Sequence, residues 1–266
     1  MQGSTEVAWQ PSRRLERGNA AEQILDDLRG RILHGQLPRG SKLPTEKQLA
    51  EAYGVSGPTV REAIRGLSTA RLVEVRHGSG AYVTADSDQL IGTSLSSMMQ
   101  LERVGFADVL SVLAVLMTHA AELAAAEASE QDINALHAAL DRVDQGADAE
   151  TIAGGLRAFV DALAKASGNA LLAVLCRFLA SVQVSLAKEL SGDSFDVWKK
   201  TTSKLARERR RLVDAIGTRD ASAAREAAHL YSKRSAKVIM SMPAALDATL
   251  SDRAMAGLLG SLLQNR

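Results

Sequence analysis

The chain has 266 residues, 46% of them hydrophobic and 24% charged, with a formal net charge of +1. That length exceeds one small domain and suits two, and a near-neutral total by itself neither requires nor excludes nucleic acid. One cysteine, Cys176, excludes an intramolecular disulfide, and the N-terminus lacks an apolar signal segment, so a reducing, cytoplasmic location is expected.

In chain order, residues 1–18 read as a flexible N-terminal arm, and residues 19–85 as a winged helix-turn-helix. Its opening helix carries Ile24, Leu28, Ile32 and Leu33. Thr45 caps a second helix with Leu49, Ala50 and Tyr53 as apolar positions, and Gly54 stops it. Ser56 caps a third helix, Pro58 suits its first turn, and Val60, Ala63, Ile64 and Leu67 form a buried stripe at helical spacing. Thr59, Arg61 and Glu62 lie off that stripe, and Arg65 follows Arg61 by one turn, so this helix offers hydroxyl and guanidinium groups to solvent. Leu72–Val75 and Ala81–Val83 read as two strands. Between them Arg76-His77-Gly78-Ser79-Gly80 supplies two donor side chains and glycines that let the backbone approach a phosphate. Helix, turn, helix and hairpin in this order place one helix in a DNA major groove and a wing against the backbone. Charge agrees: residues 11–83 hold 12 Lys/Arg against 8 Asp/Glu, a balance of +4, leaving −3 for the rest.

Residues 86–97 are polar and small and read as a linker. Residues 98–242 read as an all-α antiparallel bundle, which makes the fold class mainly α. Its helices are expected at about 105–128, after a cap at Ser129, over 152–166, over a central apolar run from Ala170, through a basic stretch to Arg211 after a loop at 191–196, and over 221–240. Arg177, Gln183, Lys188 and Glu189 make the apolar run a bundle helix rather than a membrane span. Residues 243–266 read as a C-terminal amphipathic helix with Leu250, Met255, Leu258, Leu259 and Leu262.

The motifs HGQLPRGSKLPTEKQLAEAYGVS, TVREAIRGL and RLVEVRHGSGAYV resemble the N-terminal domain of the GntR family of bacterial regulators, continuously over residues 19–83. The resemblance implies DNA contacts from Lys47, Ser56, Thr59, Arg61, His77 and Gly78; Arg65 joins them from its place on the helix, although Arg61 and Arg65 also read as plain solvated charges. The family usually carries Arg where this chain has Gly57, which alters the expected operator but not DNA binding, because phosphate contacts supply most of the affinity. A dimer on a palindromic operator is expected.

ELAAAEASEQDINAL, FVDALAKASGNALL and RERRRLVDAIGTRDASAAREAAHL resemble the FCD effector domain of the FadR subfamily. Many such domains hold a divalent metal through one Asp and three His, and the metal helps hold a carboxylate effector. Those positions fall here at Leu156, Val160, Arg209 and His229, so no metal of the family type and no cofactor is expected. Two further family positions, often Arg and Glu, fall at Leu113 and Met117. Leu113, Met117, Leu156 and Val160 are then an apolar region, with Arg209 as its charge. Leu205, Leu212, Val213 and Ile216 share a helical face with Arg209, so either a protein carboxylate or an anionic ligand meets it, unless its stem snorkels outward. His229 has Arg225, Glu226, Ser232 and Lys233 as helical neighbours, which leaves pocket and surface both open. The expected effector is an amphipathic anion such as a fatty acid or acyl-CoA thioester. The alternative is a constitutive dimeric DNA-binding protein whose bundle only dimerises. The chain has no P-loop, no H-E-x-x-H and no C-x-x-C, and an enzyme is not expected.

Overall fold

The computed structural model describes residues 9–12, 19–84, 87–192 and 194–242. The expected C-terminal helix over 243–266 and most of the expected arm lie outside those residues. The chain divides into two compact units, residues 1–90 and 91–266.

The first unit contains α1 (Ala20–Leu33), α2 (Glu46–Tyr53), α3 (Gly57–Thr69), β1 (Val73–Arg76) and β2 (Gly80–Val83). Each start is written locally. Asn19 caps α1, Thr45 and Gln48 form a capping box on α2, and Ser56 caps α3. Gly54 ends α2 at φ +68°, a left-handed stop that a residue with a Cβ rarely adopts. The expected stripe of α3 is buried and packs with Ile24, Leu28, Ile32, Leu49, Val73 and Val83 into one core; Leu33, next to Ile32, faces solvent. α1 and α3 approach so closely that a Cβ on Gly66 would come within 2.2 Å of Leu25 Cδ1. β1 and β2 pair antiparallel from Val73↔Val83 to Arg76↔Gly80. The chain before α2 adds to this wing through a bridge between Lys42 and Tyr82.

Residues 9–12 depart from the expected flexible arm. Trp9 lies over the Arg31 guanidinium at 4.2 Å, and Arg31 Nη2 donates to the Gln10 carbonyl. Ser12 N–H donates to Asp27 Oδ2 at 3.3 Å, and the Tyr53 hydroxyl donates to the same oxygen. An aromatic face and one buried carboxylate thus clip this segment to α1 and α2.

The division between the units falls inside α4 (Ser87–Leu101), so the segment read as a linker is helical. Its small polar residues hid the pattern: Gly92, Ser96 and Met99 recur at helical spacing on its buried side. The second unit continues with α5 (Phe106–Glu127), α6 (Glu130–Asp144), α7 (Ala149–Ala166), α8 (Ala170–Leu190), α9 (Phe195–Ser203), α10 (Ala206–Gly217) and α11 (Ala221–Met240). Ser129, Asp148 and Asn169 cap α6, α7 and α8. α5 packs along α11 and α7, and α7 along α6 and α8. α5 and α8 are long and apolar enough to cross a membrane, but the apolar stretch of α8 is 61% buried in the bundle.

The basic stretch expected as one helix breaks into α9 and α10. Thr202 and Ser203 turn their hydroxyls onto the Lys199 carbonyl at 3.0 and 2.7 Å, competing with the helical backbone where α9 ends.

Candidate functional site

The first candidate is the outer face of α3 with the wing. Lys47, Ser56, Arg61, Arg65, His77 and Gly78 are exposed and Thr59 is half-buried. Ser56 Oγ meets both the Thr59 N–H and the Thr59 hydroxyl, which fixes the first turn of α3. Lys47 lies along its own helix, 3.9 Å from Glu51. Gly78 sits at the wing tip at φ +69°. A Cβ on Gly57 would meet nothing within 4 Å, so the side chain usual in the family has room there. The wing is stiffened by Tyr82, whose ring lies under Arg76 at 4.7 Å and near Lys42 at 5.9 Å.

Sequence reasoning missed one partner on this face. Arg61 donates to the Glu46 carboxylate of α2 through Nε at 3.1 Å and Nη2 at 2.7 Å. The pair spans fifteen residues, beyond the reach of any helical spacing rule, and only the crossing of α2 and α3 brings it together.

The second candidate is a cavity of about 40 Å³ inside the bundle. Leu156 and Val160 of α7, Trp198 and Thr202 of α9, Arg209 of α10 and Tyr231 of α11 line it. Three of the six residues expected around an effector are therefore here: Leu156, Val160 and Arg209. Leu113 and Met117 are buried in the same core but are not part of the cavity wall. His229 is exposed. It precedes Tyr231 by two residues, roughly 200° around a helix, so with Tyr231 facing inward the imidazole faces out.

Arg209 is only 1% exposed, so its stem does not snorkel. Nη1 donates to the Thr202 carbonyl at 3.1 Å. Nη2 stands 4.0 Å from Asp144 Oδ1, within ion-pair range but too far for a hydrogen bond, and is buried without a hydrogen-bond partner among the described residues. Asp144 is also bound by Arg210 at the surface. The indole Nε1 of Trp198 is buried without a partner as well. Burial pushes the Tyr231 phenol up, and the Arg209 guanidinium beside it offsets part of that rise. Gln183 Nε2, also on the wall, donates to Ser235 Oγ at 3.1 Å.

This wall does not suit a divalent cation. It contains a guanidinium and no imidazole, carboxylate or thiol, and the remaining histidine of the family pattern points away. Two of its residues, Arg209 and Trp198, carry buried donors without acceptors among the described residues, a feature that favours an anion over a cation. Trp198 was missed because nothing near it in sequence marks it as a donor to Arg209's cavity; the separate packing of α9 does.

Comparison with known proteins agrees with both halves. The family of bacterial regulatory proteins described as gntR matches residues 20–83, and the FCD domain matches residues 108–232. The HTH-type transcriptional regulator LutR of Bacillus subtilis is 31% identical over 202 residues, covering 75% of this chain and 92% of LutR. An HTH-type transcriptional regulator of Mycobacterium tuberculosis is 32% identical over 167 residues, covering 62% of this chain and 68% of that protein. The solved structure of a Streptococcus agalactiae GntR superimposes with a TM-score of 0.63 at 26% identity, covering 82% of this chain and 99% of that one. With a winged reading head, a helical bundle and this extent of similarity, the chain belongs to the GntR family as a DNA-binding transcriptional regulator of the FCD type.

Proposed function

We propose that this regulator binds its operator as a homodimer and responds to a compact organic anion held in the bundle cavity, with Arg209 as anchor and no divalent metal. The observation that carries this reading is the pair of buried, unpartnered donors on one wall, Arg209 Nη2 and Trp198 Nε1. Burying donors without acceptors is costly, and a ligand carboxylate reaching either one would supply the acceptor it lacks. The expected fatty acid or acyl thioester fits less well. The cavity of about 40 Å³ is far smaller than the pockets of roughly 300–1,000 Å³ that take drug-sized ligands. A short carboxylate therefore replaces a long-chain lipid as the favoured class. Dimerisation through α5 is supported by Val112 and Val115, which are 52% and 68% exposed one turn apart on this helix.

For the ligand to regulate, it must favour one state of the protein over another. Arg209 holds the last turn of α9 through Thr202, so a ligand drawing the guanidinium toward itself acts on the α9–α10 break. The test titrates carboxylates of two to six carbons against the protein bound to a selected operator, for wild type and Arg209→Leu. Release of wild type, with an unresponsive Arg209→Leu that still binds DNA, is expected. Operator affinity indifferent to every carboxylate in wild type contradicts the reading and favours a bundle that only dimerises.

A further inference from the structure

We propose that Glu46 is a positioning residue for sequence readout: it holds Arg61 by the side of its guanidinium and presents the free end of the fork to the DNA. The geometry assigns each donor. Nε and Nη2 both reach Glu46 Oε2, at 3.1 and 2.7 Å, and Nε also lies 3.3 Å from Oε1. An arginine has five N–H donors. Two are used on this side, which leaves both hydrogens of Nη1 and one of Nη2. That remaining edge has the spacing that meets the O6 and N7 acceptors of a guanine in the major groove.

The neighbours give this arrangement weight. Gly57 contributes no guanidinium at the start of α3, so the fork of Arg61 is the first one on the helix. Glu46 sits in the first turn of α2, where its own backbone is fixed by the Thr45–Gln48 capping box. A carboxylate carried on a fixed stretch of backbone thus orients the guanidinium before DNA arrives, so less ordering remains to be done on binding.

The same carboxylate also discriminates against wrong DNA. On a cognate site Arg61 keeps Glu46 on one edge and gains a guanine on the other. On random DNA it must either leave Glu46, exposing a carboxylate to the phosphates, or stay and gain no base. Specificity then comes from a penalty on the wrong partner as well as a contact with the right one.

The experiment is selection of binding sites from a random duplex library by the full-length protein, for wild type, Arg61→Ala and Glu46→Gln, with thermal melts as a control for folding. Arg61→Ala identifies the base pair that Arg61 reads. Glu46→Gln is expected to lose preference at that same pair by about tenfold, while the other positions keep theirs. Its affinity for a non-operator duplex is expected to rise, with a salt dependence steeper by about one charge, because Arg61 is freed for a phosphate. Should Glu46→Gln melt early, Glu46→Ala supplies the readout: it removes the carboxylate and leaves the fork of Arg61 whole, so preference at that pair falls while non-operator affinity rises. A selected site unchanged by Glu46→Gln and by Glu46→Ala, or a loss spread over all positions, overturns the proposal.

Discussion

The two units each hold an arginine to which a role is proposed, and they treat it oppositely. Arg61 is exposed and fully matched by a carboxylate on one edge. Arg209 is buried, with its nearest carboxylate 4.0 Å away. At the surface water screens an unmatched charge, so the Glu46 pairing serves orientation more than stability. In the bundle Arg209 has Asp144 within ion-pair range but keeps one buried donor without a hydrogen bond among the described residues, and that donor is what the proposed ligand would complete. The lesson is that the polar completeness of a site, more than its charge, separates a preset reading head from a receptor.

Substitutions that test this contrast fall in order of expected size. Leu113→Ala should lower bundle stability by about 2–5 kcal/mol, because Leu113 is core rather than ligand wall. Denaturant unfolding checks it, and a carboxylate response altered more than stability would return Leu113 to the site. Arg209→Leu should leave stability unchanged or raise it by about 1–4 kcal/mol, since an apolar residue replaces an under-paired buried cation. A clear loss of stability on chemical unfolding would mean that Arg209 is structurally satisfied and not waiting for a ligand.

The first unit contains one buried carboxylate that does find its partners. Burial alone raises the Asp27 pKa, but donors from Ser12 and Tyr53 and the charge of Arg31 outweigh it, and the net shift is downward. A carboxylate whose folded pKa is depressed contributes stability that is present above the unfolded value, about 3.9, and is lost as pH falls through the folded pKa. In a Trp198→Phe background, Trp9 fluorescence should report release of residues 9–12 only below about pH 4. Asp27→Asn should remove that acid transition; a transition that persists in this variant assigns it to other groups. His229→Ala, the smallest effect, should stay within about 0.5 kcal/mol in stability and leave any carboxylate response intact. A lost response would place the imidazole in the site after all.

The sequence carried several helix starts because caps are local: Thr45, Ser56 and Ser129 each declare one, whereas Asp148, read as part of a turn, caps an α7 that begins three residues before its expected start. The burial of Arg209 was legible from its apolar neighbours at helical spacing, and the burial of the α3 stripe likewise. Three features were not. α4 hides its inward face behind glycine and serine, which carry little hydropathy. The α9–α10 break depends on side-chain hydroxyls that compete with the backbone, an outcome decided by packing. The rotation of α11 that turns Tyr231 inward and His229 outward, like the meeting of Arg61 and Glu46, is set by contacts between distant elements.

Arg209 is proposed to hold an anion that arrives from outside the protein. Native mass spectrometry of the full-length protein, purified without added metal, tests it most directly when wild type and Arg209→Leu are compared. A small organic acid bound to wild type, absent from Arg209→Leu and accompanied by no stoichiometric metal, is the result this account predicts. A ligand retained equally by both proteins, or a divalent metal bound at one equivalent, would contradict it.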